Sequence, residues 1–207
     1  MRLKRELLPG DHLLDLEASP GPLDLAQAFG SEGPFELEIG SGKGTFLVQE
    51  ARVRTDVCFL GIEWMKKYAL YAADRVRRAG LPNTRMIAGD ALDFVREHAV
   101  PASFQAVHIY FPDPWPKARH HKRRSVRTDT LAPLESLLAP GGVLRIVTDH
   151  PGYAEWIEEV LKATTLEPEP YEPTASAAEG ELVGTNFERK YALRDGRPSF
   201  PFQLRRK

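Results

Sequence analysis

Four acidic residues lie where they could bind the polar groups of a small molecule. Glu38, Glu63 and Asp90 stand at or just after the ends of three predicted strands, and Asp113 follows a fourth. Ligands of parallel sheets bind at the carboxyl ends of the strands, so these carboxylates are expected to share one site. A single acid in such a place is more often a helix N-cap or a solvated loop residue, and Asp90 is a good N-cap candidate. Their recurrence at successive strand ends favours a ligand site.

The turn after the first predicted strand indicates the kind of ligand. Residues 38–44, the glycine turn, read Glu-Ile-Gly-Ser-Gly-Lys-Gly, and Gly40, Gly42 and Gly44 let the backbone bend sharply and approach a ligand. A dinucleotide fingerprint has its third glycine three residues after the second, whereas here the interval is two. The spacing suits a mononucleoside such as S-adenosylmethionine, and a tight turn without a ligand is the alternative. Glu63 would accept hydrogen bonds from the ribose hydroxyls, and Asp90 would accept one from the adenine amino group.

The fourth predicted strand leads into a stiff loop. Residues 111–117, the proline loop, read Phe-Pro-Asp-Pro-Trp-Pro-Lys, and the alternating prolines leave the side chains between them little conformational entropy to lose. Asp113 is therefore predicted to be pre-positioned against the cofactor's sulfonium, with a rigid turn and a solvated carboxylate as the alternative. Trp115 could stack on a nucleobase, but packing against the protein is the more common role.

A cationic run follows at once. Residues 117–127 contain six Lys or Arg and no acid, so the run carries +6, which leaves −7 for the rest of a chain whose formal net charge is −1. Such a run is ordinarily a solvated face or a nuclear-type signal. Its position beside the predicted methyl donor favours instead a surface for RNA phosphates.

The elements that must position these residues alternate between strands and helices. Strands are predicted at 35–39, 57–62, 84–88, 104–111 and 143–148, with a final strand at 199–206. Helices are predicted at 45–53, 65–79, 91–98, 128–138 and 153–163, and the short connections predict parallel strands in a doubly wound α/β sheet. Residues 1–34 are interpreted as an arm with a basic start (Arg2, Lys4 and Arg5) and a short helix at 23–29. Residues 35–207 form the main domain, in which residues 164–184 are expected to be a loop or partly disordered.

The composition limits the class of protein. A chain of 207 residues with 42% hydrophobic residues fits one globular domain. Its single cysteine, Cys58, lies in an apolar run, which excludes a disulfide or a cysteine-type zinc framework. No signal-peptide pattern and no long apolar segment occurs, so we expect a cytoplasmic protein without a membrane partner. No metal site is predicted, and Trp64 and Trp156 are expected in the core.

Taken together, these motifs resemble the bacterial tRNA (guanine-N7)-methyltransferase family. The resemblance rests on EIGSGKG, GIE, GDA, FPDPWPKARHHKRR, VTD and TNFERKY in this order, and it runs from about residue 35 to the C-terminus. It implies a Rossmann-like class I methyltransferase with a mostly parallel seven-stranded sheet and an antiparallel C-terminal strand. The implied reaction transfers a methyl group from S-adenosylmethionine to N7 of a guanine in the tRNA variable loop. Ala118 departs from the commoner pattern, which has a second basic residue there, and the N-terminal arm is short.

The resemblance also assigns roles to residues. Cofactor contacts fall on Glu38, Gly40, Gly42, Glu63, Asp90, Ala91 and Asp113, and Asp113 is also the predicted catalytic residue. Substrate contacts fall on Lys117, Asp149, Thr185, Asn186, Phe187 and Glu188. RNA contacts fall on Arg119, His120, His121, Lys122, Arg123 and Arg124. The partner is tRNA, and the protein is expected to be a monomer or a homodimer.

Several alternatives stay open at this point. Thr185 and Glu188 have the spacing of a helix capping box, so this segment is either a cap, a substrate contact or both. A methyltransferase for exocyclic amines would have a second proline after Pro114, where this chain has Trp115. A small-molecule methyltransferase would not need the cationic run, and a non-catalytic RNA-binding subunit would not need all the strand-end acids.

Overall fold

The fold is an eight-stranded mixed sheet with helices on both faces. The computed structural model describes residues 6–18 and 20–207, so the basic start at residues 2, 4 and 5 lies outside the described part. The strands, in the order β1-β4-β3-β2-β5-β6-β8-β7 across the sheet, are β1 Leu13–Leu14, β2 Phe35–Ile39, β3 Cys58–Glu63, β4 Thr84–Ala88, β5 Phe104–Tyr110, β6 Leu138–Thr148, β7 Glu167–Glu169 and β8 Phe200–Arg205. The helices are α1 Leu25–Phe29, α2 Thr45–Val53, α3 Lys66–Arg78, α4 Ala91–Glu97, α5 Thr128–Leu137, α6 Pro151–Leu161 and α7 Asn186–Glu188.

The predicted doubly wound, mostly parallel sheet is confirmed. Strands β1 to β6 pair in parallel, and β8 runs antiparallel to both β6 and β7. The sheet has eight strands rather than the expected seven because Leu13 and Leu14 of the N-terminal arm pair with Met86 and Ile87 at its edge. α6 starts two residues earlier than predicted, since Pro151 suits the first helical position and His150 caps the helix.

Residues 164–184 form the expected loop apart from one short strand, and this loop packs on the rest of the protein. They contain β7, and Thr174, Glu181 and Val183 within them are buried. The carboxylate of Glu50 on α2 accepts hydrogen bonds from the backbone N–H groups of residues 175 and 176, at 3.2 and 3.0 Å. The segment is therefore tied to one face of the sheet over α2.

Two hydrophobic clusters cover the two faces of the sheet. Alternation along each strand sends Leu37 and Ile39 of β2 to the face with α4, α5 and α6, and sends Glu36 and Glu38 to the face with α2 and α3. Among the described residues, no helix has the length and apolarity needed to cross a bilayer.

A buried polar network lies beneath the glycine turn. Glu36 accepts from Arg54 at 2.9 Å and pairs with the His108 ring at 2.9 Å, and His108 also contacts the Tyr110 hydroxyl at 2.8 Å. Burial alone would raise the pKa of Glu36, but the bonds from His108 and Arg54 outweigh it and hold the pKa at about 2. Burial lowers the pKa of His108. This network fixes β2 against β5, whose ends carry the glycine turn and the proline loop.

Candidate functional site

The predicted site residues gather at one edge of the sheet. Because β2 to β6 are parallel, their carboxyl ends lie together at this edge. The edge carries, in strand order, Asp90 after β4, Glu63 ending β3, Glu38 and the glycine turn at β2, the proline loop after β5, and Asp149 after β6.

The glycine turn and Glu63 form one unit. Glu63 Oε2 accepts from the N–H of Gly42 at 2.8 Å, and its Oε1 accepts from the N–H of Met65 at 2.9 Å. Gly40 and Gly42 have φ of +77° and +53°, and a Cβ added to either would meet open space. The backbone conformation favours glycine, and the space in front of the turn is free for a ligand.

Glu38 is a buried carboxyl group with one unpaired oxygen, Oε2. Its side chain is 5% exposed, and within the described residues Oε2 has no hydrogen-bond donor. Burial, together with the nearby charge of Glu63, raises the pKa of Glu38 to about 8. An unsatisfied buried acceptor of this kind is matched to a cationic or hydrogen-bond-donating ligand group.

Asp90 is the N-cap of α4. Its Oδ1 accepts from the N–H groups of Leu92 and Asp93, at 2.7 and 3.3 Å. The N-cap role weighed for Asp90 is thus confirmed. In the described part of the chain Oδ2 has no protein donor, so one oxygen is free for a ligand. Ala91, the first residue of α4, is half-buried beside it.

The proline loop is anchored on both sides of Asp113. Before it, the N–H of Phe111 donates to the Val147 carbonyl at 2.7 Å. After it, the Pro114 carbonyl accepts from Arg124 Nε at 2.9 Å, and Trp115 is half-buried with the Arg123 guanidinium 4.9 Å from its ring centre. Phe111 and Trp115 both have positive φ, +49° and +43°, which is uncommon outside glycine and concentrates at functional sites. Asp113 itself is exposed and makes no described hydrogen bond.

The cationic run is only partly a surface patch. Arg124 is 4% exposed, its Nε donates to the Pro114 carbonyl at 2.9 Å, and its guanidinium lies 4.9 and 4.7 Å from the rings of Tyr153 and Trp156. The expectation that Arg124 belongs to an exposed surface is therefore wrong, because two aromatic rings of α6 enclose it. The His121 ring lies against Trp156, at 5.2 Å. The exposed cations are Lys117, Arg119, Lys122 and Arg123.

The segment Thr185, Asn186, Phe187 and Glu188 is half of the predicted capping box. Thr185 Oγ1 accepts from the N–H of Glu188 at 3.1 Å, but the Glu188 carboxylate does not return to Thr185. It accepts instead from the N–H groups of residues 182, 183 and 184, at 2.6, 3.0 and 2.8 Å, and the residue is 2% exposed. This geometry gives Glu188 a structural role. Phe187 is 38% exposed and its ring centre lies 4.8 Å from that of Phe111, which joins the segment to the proline loop.

One residue at this edge was not identified from the sequence, and the wrong environment was predicted for another. Arg197 Nη1 donates to Asp149 Oδ2 at 3.1 Å and lies over the Tyr191 ring, and nothing in the spacing of these residues signals the pair. Trp64, expected in the core, is 72% exposed. Its position directly after Glu63 could have indicated this, because a residue that follows a strand-end acid lies at the ligand edge.

Comparisons with known proteins agree with this geometry. A model of the family described as "Putative methyltransferase" matches residues 32–199. The chain is 37% identical over 194 residues to the tRNA (guanine-N(7)-)-methyltransferase of Alkalilimnicola ehrlichii, covering 93% of this chain and 81% of that protein. It belongs to the tRNA (guanine-N7)-methyltransferase family. The enzyme of the same name from Bordetella pertussis is 43% identical over 72% of this chain, a match that spans just over half (58%) of that relative's length. A SAM dependent methyltransferase from Aquifex aeolicus shares the fold, with a TM-score of 0.56 at 14% identity over 87% of each chain.

The site fits the cofactor that this family uses, S-adenosylmethionine. Glu38 offers an unpaired buried oxygen to an ammonium group, Glu63 offers a carboxylate beside the glycine turn, and Asp90 keeps one free oxygen. The open space before Gly40 and Gly42 leaves room for the body of the ligand. These side chains and the glycine turn would hold the cofactor.

Glu38→Gln should remove a pH dependence from the stability of the free protein. The pKa of Glu38 is raised from its ordinary 4.5 to about 8 on folding, so its contribution to stability is complete below pH 4.5 and is lost as the pH rises to about 8. The neutral amide has no such loss. The difference in unfolding free energy between the two proteins should therefore grow by at most about 1.4 kcal/mol per pH unit in this window. Urea unfolding at pH 5, 6, 7 and 8 measures this difference. If the unfolding free energies of the two proteins change in parallel with pH, Glu38 is already ionised in the folded protein.

Proposed function

We propose that this protein transfers the methyl group of S-adenosylmethionine to N7 of a guanine in the variable loop of tRNA, in the cytoplasm and as a monomer or homodimer. The observation that carries the proposal is the position of Asp113. Its exposed, unpaired carboxylate is held in a loop anchored on both sides, at the same sheet edge as Glu38 and Glu63. The family to which the chain belongs supports the choice of tRNA.

The chemistry asks mainly for positioning. When bound, S-adenosylmethionine supplies a methyl group on a positively charged sulfur. Guanine N7 has an in-plane lone pair and no proton, so no general base is required, and catalysis rests on orientation and electrostatics. In this proposal Asp113 orients the base against the methyl donor. Lys117 and Asp149 fix the base or its phosphate, with Asp149 itself held by Arg197.

The exposed cations Arg119, Lys122 and Arg123 follow the proline loop directly and would contact the RNA backbone. His120 packs edge-on against Trp115 and His121 against Trp156, so both are proposed to line the RNA path from half-buried positions. Asn186 and Phe187 are the exposed members of their segment and the ones best placed to meet substrate. Thr185 and Glu188 would act by holding that segment in place.

The choice of substrate class can be tested by offering labelled S-adenosylmethionine with different acceptors. Unmodified tRNA transcripts should take up label to about one methyl per molecule, whereas ribosomal RNA and small guanine nucleosides should take up none. Excess unlabelled tRNA should compete. Label on a free nucleoside at the same rate as on tRNA would contradict an RNA methyltransferase.

A further inference from the structure

A cleft lies between the proline loop and α6, apart from the proposed cofactor site. It has a volume of about 420 Å³ and is lined by Pro116, His121, Arg124, His150, Gly152 and Trp156, with Glu155 at its rim. Pockets for small ligands in proteins start at about 300 Å³. The cleft is therefore large enough for one nucleotide.

Its floor carries a buried cation without a counter-charge. Arg124 is 96% buried, and in the described part of the chain no carboxylate lies within ion-pair distance of it. Its guanidinium contacts the Pro114 carbonyl and the rings of Tyr153 and Trp156. Burial lowers the pKa of Arg124, as expected where a charge lacks compensation. A buried charge of this kind is costly unless an anion pairs with it.

His150 and the N-terminus of α6 add hydrogen-bond donors to the cleft. Helix α6 begins at Pro151, which has no N–H, and the N–H groups of Tyr153 and Ala154 donate to His150. The N–H of Gly152 is therefore the one in this first turn that is left for an anion, which helix N-termini attract. The Nδ1 atom of His150 accepts from the N–H of Tyr153 at 3.2 Å, so in the neutral ring the hydrogen is on Nε2. Among the described residues that line the cleft, Glu155 is the one acid, and it is exposed.

We propose that this cleft binds one backbone phosphate of the RNA substrate, held by Arg124, His150 and the N-terminus of α6. The sugar or base of the same nucleotide lies against Pro116 and the half-buried ring of Trp156, whose Nε1 is occupied by the Val126 carbonyl at 2.9 Å. A site for an inorganic ion alone would not need this apolar wall. The cleft is also continuous with the cationic run, and both features favour RNA as the occupant. The inference rests on the proposed function and adds a specific anchoring point to it.

The test compares Gly152→Asp with Gly152→Asn. Gly152 is exposed in the first turn of α6, its φ is not positive, and an added Cβ would meet the His150 ring at an ordinary 3.5 Å. An acid in the first turn of a helix is stabilising, so the Asp variant is expected to fold as the parent does. Asn has the same size without the charge. Filter binding of unmodified tRNA is measured at several salt concentrations, with S-adenosylmethionine affinity by calorimetry as the control.

Gly152→Asp should weaken tRNA binding about tenfold and make the slope of log affinity against log salt shallower by roughly 0.7 to 0.9, the loss of one phosphate contact. Gly152→Asn should match the parent, and cofactor affinity should be unchanged in both. Equal tRNA affinities for the Asp and Asn variants would overturn the cleft proposal while leaving the proposed function intact. If the parent binds no tRNA, the proposed function fails and the cleft proposal with it.

A free anion is the competing occupant. At constant ionic strength, 10 mM inorganic phosphate should not raise the melting temperature of the parent. If phosphate stabilises the parent but not Gly152→Asp, and tRNA affinity is the same in both, the site is one for free phosphate and the RNA assignment is wrong.

Discussion

Asp113→Ala should lower the turnover number for tRNA methylation by about a thousandfold, at the upper end of what one positioning or electrostatic group contributes. The reason lies in how the loop is built. Phe111 is bound to β6 and Pro114 to Arg124, so the carboxylate between them is held in place, yet it makes no described bond to the protein. Its removal takes away an interaction with the reactants and little else.

The same variant should leave other properties unchanged. Because Asp113 is exposed and makes no described hydrogen bond, we expect the unfolding free energy of the variant to stay within about 0.5 kcal/mol of that of the parent. The dissociation constant for tRNA should also be unchanged, because the substitution leaves the exposed cations of the cationic run in place. Asp93→Ala, which removes an exposed acid paired with Arg96, is the matched control and should keep full turnover. Turnover by Asp113→Ala within tenfold of the parent would refute the assignment.

Glu188→Ala should destabilise the protein by about 3 kcal/mol or more. The carboxylate is buried and accepts from three backbone N–H groups, which the substitution leaves without an acceptor. Urea unfolding measures the loss. Glu188→Gln keeps one acceptor oxygen, so its unfolding free energy should fall by less than that of Glu188→Ala. Thr185→Val removes only the N-cap bond to Glu188 and should cost about 1 kcal/mol.

Glu188 thereby distinguishes the two interpretations of its segment. If the carboxylate holds the loop, the Michaelis constant of Glu188→Gln for tRNA should stay close to that of the parent at a temperature where both are folded. A variant as stable as the parent but with a Michaelis constant raised tenfold would instead make Glu188 a direct substrate contact.

The elements with strong local signals were predictable from sequence. Strand β2, helix α2 and strand β4 have the predicted bounds, because a period of two or 3.6 and the flanking glycines define them locally. The glycine turn follows from the same local rules. Alternation along β2 then determines which face Glu36 and Glu38 share.

Long-range partners explain most of what the sequence did not predict. Residues 164–184 look like a loop by composition, but Glu50 and Gln49 of α2, more than 120 positions away in the chain, bind their backbone directly. Arg124 looks like any other member of a cationic run, and only the packing of α6 shows that Tyr153 and Trp156 enclose it. Charge and hydropathy describe a residue's type, whereas burial depends on the neighbours that the fold supplies.

These contacts divide the cationic run into exposed and buried residues. Arg123 and Arg124 are adjacent in sequence, yet Arg123 is exposed over Trp115 while Arg124 is enclosed beneath α6. A double substitution at these positions would remove the exposed RNA contact of Arg123 together with both the packing and the proposed phosphate contact of Arg124. Single substitutions at the exposed Arg119 or Lys122 therefore give a cleaner measure of the backbone contacts.

The most direct test of the proposed reaction locates the methyl group on the RNA. Unmodified tRNA is incubated with the protein and S-adenosylmethionine, reduced with borohydride and treated with aniline, which cleaves the chain at 7-methylguanosine. Cleavage at a single guanine of the variable loop, absent with Asp113→Ala, is the predicted result. Methylated tRNA that resists cleavage would place the methyl group on another atom and contradict the account.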